Sequence, residues 1–384
     1  MSNKLLYISN LHTDNPKHIG ILKKVRGMCN GFADSFCVYL EYVCGGMSVI
    51  EEFVPQNKTL EKAYRGLGAR SSFYKDVYNW ICDNDVSVVY IRFDHLDSVM
   101  MRFFKKLKEQ GVKIYLELPT FPYAGERDKR HRKLLKKGKI PQYIIKRILA
   151  NREEAYSTQI NKYVEKIVTY TYDGIIWNSP SVCVENGVDC STIKLRDHQN
   201  DSDKVIVGCI ANLAKWHAVD RVIEGLKNYY TLPSVRPIDF WIIGEGSETP
   251  YIKCLVEKYD LSDHVVFKGP LSGDALDKAL NDIDIGVGTL GLYRIGLPWG
   301  STLKSKEYCA AGLPFFYSSR EKALSGYEPF ALKFEDNDSP IDINAVVDFA
   351  LKVRNDMQLR RDMREKAERE YDWRSLTKKI LEKT

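Results

Sequence analysis

The sequence predicts an α/β protein of two doubly wound parallel-sheet domains facing across a cleft. Three observations carry that expectation. At 384 residues the chain is too long for one ordinary core and fits two domains of about 150 to 200 residues each. Short apolar runs alternate with amphipathic helical stretches, the pattern of strands joined by crossover helices. The alternation breaks at the aperiodic polar stretch "LRDHQNDSDK", residues 195–204, and then starts afresh.

Taken in order, "KLLYIS" reads as a buried strand, "HIGILKKVRGMCNGFADS" as an amphipathic helix and "FCVYLEYV" as the next strand. "VSVVYIRF", "HLDSVMMRFFKKLKEQG" (a helix closed by Gly111) and "KIYLEL" repeat the unit, and "KIVTYT" and "SVCVENGVD" add short strands. After the break come "VIVGCIA", the helix "AVDRVIEGLKNYY", "IDFWIIG", the helix "ETPYIKCLVEKYD", "HVVFKG", the helix "GDALDKALND" and "IDIGVG". The expected division is 1–198 and 199–365, with a final helix within 366–384.

With 44% hydrophobic and 28% charged residues, and no apolar run near the ~20 that a spanning helix needs, the composition is that of a soluble globular protein. The start, "MSNKLLYISN", has none of the marks of a secretory signal, so a cytoplasmic protein is expected. Nine cysteines occur without a Cys-x-x-Cys pair and several sit in apolar runs; they read as reduced core thiols. Net charge is +6, but "RDKRHRKLLKKGKIPQYIIKR", residues 127–147, opposes its many cations with Asp128 alone. No aromatic-interleaved basic groove accompanies it, so nucleic acid is not the expected partner.

The chemistry is expected beyond the carboxyl ends of the second-half strands, where "WIIGEGSE", "VVFKGPLSG" and "GVGTLGLYRIGLPWGST" are glycine-rich. In "STLKSKEYCAAGLPFFYS", residues 301–318, a Gly300-Ser301-Thr302 turn leads into a helix stopped by Gly-Leu-Pro. The N–H groups of Ser301, Thr302 and Leu303 then point out at the positive end of the helix dipole, a seat for phosphate. Lys304 adds a cation at that end, an unfavourable position unless an anion binds there. Glu307, one turn on, offers two oxygens to a vicinal diol such as a ribose. The alternative is an i, i+3 ion pair on a solvated helix, worth ~0.2–0.5 kcal/mol.

These residues resemble a family, the retaining glycosyltransferases of family 4 with the GT-B fold, over almost the whole chain. "STLKSKEYCAAGLPF" looks like its nucleotide-binding helix, "VENGVD" its domain-closing turn and "GCIANLAKWHAVDRVIEGL" the first strand and helix of its second domain. "IIGEGSE" and "FKGPLSGDAL" look like the next nucleotide-proximal loops. "VVYIRFDH" and "YLELPTFPYAGE" resemble a branch that builds bacterial capsule or other surface polysaccharides, and "YDWRSLTKKILE" its last helix, which crosses back onto the first domain. The resemblance implies two Rossmann-like domains, an N-terminal one for the acceptor and a C-terminal one for the nucleotide-sugar. It implies transfer from a nucleotide-diphosphate sugar, foremost a UDP-sugar, to a growing, lipid-linked surface glycan, by a front-face mechanism with no essential metal and no cofactor.

Carried over residue by residue, Lys304 meets the leaving diphosphate, Glu307 the ribose, Gly244, Glu245 and Gly246 the nucleotide, and Lys268 and Gly269 the base. The family's Glu, seven residues, Glu pattern lands its first member on Trp299, so donor-sugar contacts fall to backbone groups or to Tyr293 and Arg294. Where the family has an Arg and a Lys for the diphosphate stand Asn212 and His217, leaving Lys215 and Arg221 as replacements, although Arg221 reads equally as a helix-surface charge. In the first half, Gly20 and His18 are acceptor- or phosphate-side candidates. Glu117, beside Arg92, is expected to orient the acceptor hydroxyl or to form an Arg92 salt bridge in the wall. The basic segment 127–147, with Leu134, Leu135, Ile140, Ile144 and Ile145 interleaved, suits an anionic membrane surface at ~1 kcal/mol per cation, which implies a peripheral position at the inner face of the plasma membrane. Alternatively its apolar stripe packs on the first domain. The rival to the enzyme reading is a non-catalytic subunit of the same fold that binds glycan or steadies a partner transferase; Trp299 speaks for it.

Overall fold

Leu5, Leu6, Tyr7 and Ile8 are completely buried in β1 (Lys4–His12), because a central parallel strand is covered on both faces. The computed structural model describes residues 3–15, 18–53, 60–63, 69–119, 121, 134–135, 138–170, 173–197, 199, 201–297 and 299–382. The chain forms two compact units, Met1–Glu185 with Trp373–Thr384, and Asn186–Asp372.

In the first unit β1 is followed by α1 (Ile19–Ala33), β2 (Cys37–Cys44), β3 (Met47–Glu52), β4 (Leu60–Ala63), α2 (Ala69–Asp83), β5 (Val88–Arg92), α3 (Ser98–Glu109) and β6 (Lys113–Leu118). Then come α4 (Ile140–Ser157), β7 (Lys166–Thr169), β8 (Gly174–Ile176) and β9 (Ser179–Cys183). The sheet runs β4-β3-β2-β1-β5-β6-β7-β9-β8, parallel from β2 to β9 with antiparallel β3, β4 and β8 at its edges. α3 shows the local logic. Asp97 caps it by accepting from the N–H groups of Val99 and Met100 at 2.9 and 2.8 Å, and its buried stripe is Met100, Met101, Phe103, Phe104 and Leu107.

The second unit contains β10 (Val205–Ile210), α5 (Asp220–Tyr229), β11 (Ile238–Ile243), α6 (Thr249–Lys258), β12 (Val265–Gly269), α7 (Asp274–Asp282) and β13 (Ile285–Val287). α8 (Leu303–Ala311), β14 (Phe315–Tyr317), β15 (Ala331–Lys333), α9 (Ile343–Val353) and α10 (Met357–Glu370) complete it. Its sheet is parallel throughout, in the order β12-β11-β10-β13-β14-β15. The last helix, α11 (Trp373–Leu381), returns to the first unit, where a Cβ on Gly27 would meet the Trp373 ring at 2.4 Å and one on Gly31 the Trp373 carbonyl at 2.4 Å.

The units divide at 185/186 and 372/373 rather than at 198/199 and 365/366. Residues 186–197 are held by the second unit: Arg364 donates to the carbonyls of Ile193 and Cys190, both at 2.7 Å, and Arg196 N–H donates to Ala311 at 3.0 Å. Two edge hairpins also depart from expectation. Gly45 and Gly46, at φ +58 and +77, turn β2 into β3, and Trp177 and Asn178, at φ +51 and +60, turn β8 into β9. Of the basic segment 127–147, residues 127–133 and 136–137 lie outside the described residues.

Candidate active site

The strand order of the second sheet reverses between β10 and β13, and doubly wound sheets bind ligands beyond the strand ends at such a point. α8 follows β13. Its N-cap, Thr302, is extended at φ −80, ψ 148 and makes no side-chain capping bond. The Thr302 hydroxyl instead donates to Glu321 at 2.7 Å. The first-turn amides of Leu303, Lys304 and Ser305 therefore have no helical acceptor and none from the cap. This corrects the expected donor set Ser301–Leu303, because the helix begins at Leu303. Ser301 is engaged internally: its Oγ accepts from Lys306 at 2.6 Å and its carbonyl from Asn186 at 3.4 Å.

Lys304 stands on this first turn with its Nζ buried and without a hydrogen-bond partner among the described residues. Burial pushes its pKa below the ordinary lysine value, against the pull of Cys209, Glu307 and Glu321. An unpaired buried ammonium is costly unless an anion is bound beside it. His217 lies close enough to feel that charge. Burial first, and Lys304 second, push its imidazole down to about 3. Its Nδ1 accepts from the Ala214 N–H at 3.0 Å, so the neutral ring carries its proton on Nε2, a donor. Glu307, half-buried, stands one turn along α8.

Two residues that sequence reasoning missed brace this end of α8. Buried Glu321 accepts from Thr302 and, at 2.5 Å, from Ser305. Buried Lys306 donates to the Asn186 carbonyl at 2.7 Å, tying the "NGVD" turn to the helix. Spacing signals neither: Glu321 arrives from beyond β14, through the bridge between Gly300 and Glu321.

The glycine loops close on one another. A Cβ on Gly244 (φ +109) would lie 2.2 Å from the Ala211 carbonyl oxygen, and one on Gly246 2.1 Å from that of Leu213. Glycine is required there by loop packing. Glu245 is exposed, Lys268 Nζ sits 3.6 Å above the Trp241 ring, and Gly269 (φ +65) faces open space. Tyr293, Arg294 and Lys215 come together around a cavity of about 460 Å³, with Asp220, Glu248, Tyr251 and Asp338. Arg294 spans Asp220 at 2.7 Å and Asp338 at 2.6 Å, and the Tyr293 hydroxyl donates to Asp338 at 2.7 Å. Trp299 is 40% exposed, with Lys322 Nζ 4.4 Å above its ring.

Two candidates assigned a catalytic role are structural. Arg221 is only 2% exposed and donates to the carbonyls of Ser339, Leu290 and Glu335 at 2.8, 2.8 and 3.0 Å and to the Ser318 hydroxyl at 2.9 Å. Its donors are spent on the loops of its own unit. Glu117 is fully buried and accepts from Arg92 and Tyr7, both at 2.5 Å, and from Tyr170 at 2.9 Å. Burial works to raise its pKa, yet Arg92, Lys24 and the two tyrosines hold it below the ordinary glutamate value. It is the anion of an internal cluster, and Arg92 is its counter-charge. His18 Nδ1 accepts from the His12 N–H at 2.9 Å, which ties the ring to its own loop, and Gly20 lies in the first turn of α1.

Two Rossmann-like sheets of this topology, the second with an open helix N-terminus at its switch point, define a GT-B architecture. Residues 191–370, within the second unit, match the family model "Glycosyl transferases group 1". The fold is similar to that of a glycosyltransferase from Rickettsia africae ESF-5 (TM-score 0.64, 10% identity, covering 99% of this chain and 97% of that one). It is similar also to Anabaena Alr3699/HepE in complex with UDP (0.57, 10%, 98% and 98%) and to the lipopolysaccharide outer core galactosyltransferase WaaB in its apo form (0.51, 13%, 98% and 98%). No curated protein matches the chain. The domain match and the fold together support the GT-B glycosyltransferase superfamily.

Proposed function

We propose that the protein is a retaining glycosyltransferase of family 4, in the branch that builds bacterial surface or capsular polysaccharide. It moves a sugar from a UDP-sugar to a growing, lipid-linked glycan at the inner face of the plasma membrane. The observation that carries this reading is the buried, unpartnered ammonium of Lys304 at the uncapped start of α8. A nucleoside diphosphate places its anionic oxygens there, against Lys304, the amides of Leu303 to Ser305 and the His217 Nε2–H. Glu307 accepts from the ribose hydroxyls. As the bond from the anomeric carbon to the phosphate oxygen breaks, charge grows on the diphosphate, where these fixed donors oppose it. The acceptor oxygen bonds to that carbon on the same face and its proton passes to the departing phosphate, so no metal is needed. The related fold of Anabaena Alr3699/HepE has been crystallised with UDP and with UDP-glucose, which favours uridine.

Tyr293, Arg294 and Lys215, around their cavity, are the sugar-side groups of this reading. Trp299, in place of the first family carboxylate, favours a second reading, a subunit that binds glycan without turnover. Calorimetry with UDP-, GDP- and dTDP-sugars tests the first: UDP-sugars bind the wild type and bind Lys304→Ala far more weakly. Absence of binding by any nucleotide leaves the second in front. Donor binding without release of UDP from any acceptor points the same way.

A further inference from the structure

The loop that carries Tyr293 and Arg294 joins their cavity to the start of α8. A Cβ on Gly291 would lie 2.8 Å from the Cβ of Ala218, the residue after His217, and one on Gly300 2.6 Å from Leu292 Cδ1. Lys215, on the cavity wall, shares a single 3₁₀ turn with His217. A sugar joined to a diphosphate held at Lys304 and His217 thus has this cavity, about 460 Å³, as its neighbouring space.

Three carboxylates line the cavity, those of Asp220, Glu248 and Asp338, and two of them are engaged. Asp220 and Asp338 hold Arg294 at 2.7 and 2.6 Å, and Asp338 also accepts from the Tyr293 hydroxyl at 2.7 Å. Half-buried Glu248 stands at the N-cap of α6 and makes no capping bond, and its carboxylate has no partner among the described residues. Tyr251, three residues on and 48% exposed, lines the same cavity. The exposed Lys215 ammonium likewise has no partner among the described residues.

A carboxylate with both oxygens unused accepts from two adjacent hydroxyls, and an ammonium donates to a third. A tyrosine ring offers an apolar body to the C–H face of a sugar. Charge narrows the class further. Carboxylates outnumber cations on the wall, so a hexuronate would bring its own carboxylate against Glu248, and like charges repel. An uncharged hexose brings hydroxyls alone.

We propose that Glu248 grips adjacent hydroxyls of the donor sugar, with Tyr251 against its ring and Lys215 donating to it, and that this sugar is an uncharged hexose. The assignment rests on the transferase reading, and it supplies the sugar-side carboxylate that position 299, a tryptophan, lacks.

The full chain is titrated calorimetrically with UDP, UDP-glucose, UDP-galactose, UDP-N-acetylglucosamine and UDP-glucuronic acid. An uncharged donor is expected to bind more tightly than UDP-glucuronic acid. Glu248→Ala should raise the Kd of that donor about tenfold and leave the Kd of UDP unchanged, since UDP reads the diphosphate seat alone. Glu248→Gln, which keeps the size of the side chain and removes its charge, should narrow the gap to UDP-glucuronic acid, an effect that lost packing does not produce. Failure of UDP to bind wild type removes the transferase reading and this assignment with it. If UDP binds and Glu248→Ala holds every uncharged donor as wild type does, or weakens UDP equally, the assignment alone falls. UDP-glucuronic acid as the tightest sugar nucleotide overturns it as well.

Discussion

Lys304 helps hold His217 in its neutral form. Burial and the neighbouring ammonium together take the imidazole to about 3, and the Ala214 N–H fixes which ring nitrogen keeps the proton. His217 is thus an uncharged donor, and Lys304 is the cation that faces the proposed diphosphate.

Replacing Lys304 by Met separates stability from function. Removing an unpaired buried charge should stabilise the nucleotide-free protein by about 1–3 kcal/mol, read as a higher melting temperature. The same change should lower kcat by about a hundredfold or more. A variant that melts lower and turns over normally would sink the assignment.

For Glu307→Ala the expected loss is in affinity. The carboxylate's bonds to a ribose are made in ground and transition states alike, so donor Kd should rise about tenfold with kcat little changed. Titration with UDP checks it, and an unchanged Kd contradicts the ribose role.

His217 should make stability depend on pH. Its folded pKa, about 3, lies below the unfolded value of 6.5, so the unfolded chain binds the extra proton between those values. Stability attached to the neutral ring is complete above about pH 6.5 and is lost as pH falls toward 3, by up to about 1.4 kcal/mol per pH unit. His217→Gln should flatten that part of the curve in urea melts at pH 4, 5 and 7. An identical slope in wild type and variant rejects the claim.

Glu117→Gln should cost about 3–5 kcal/mol, because it leaves the Arg92 guanidinium with a neutral neighbour inside the first unit. Since the native carboxyl titrates below its ordinary value, its contribution is present above the unfolded pKa and lost as pH falls through the folded one. Wild type and variant should converge in acid. Donor affinity of the folded variant should match wild type under either role, so kcat decides: it is expected to hold, and a large fall in kcat would return Glu117 to the acceptor-orienting role.

The parallel sheets were legible because the interiors of strands such as 5–8 and 205–210 are apolar runs between amphipathic helices. The short helix that carries Lys304 and Glu307 was legible because a Gly-Ser-Thr turn and a Gly-Leu-Pro stop bound it. Burial of charge was not. Arg221 and Glu117 resemble surface or cleft charges in sequence, and only their distant partners, Ser339 and Glu335 for one and Tyr7 and Tyr170 for the other, consume them. Glu321 escaped for the same reason.

The seat of Trp373 against Gly27 and Gly31 has a bearing on biosynthesis. The groove on α1 is made early in translation, but the indole that fills it belongs to a stretch synthesised more than three hundred residues later. The opening half of the polypeptide must leave the ribosome with a hydrophobic slot still empty, and it closes only after the second unit has been made in full. A nascent chain arrested before residue 373 therefore offers that slot to chaperones, and one released after residue 381 does not.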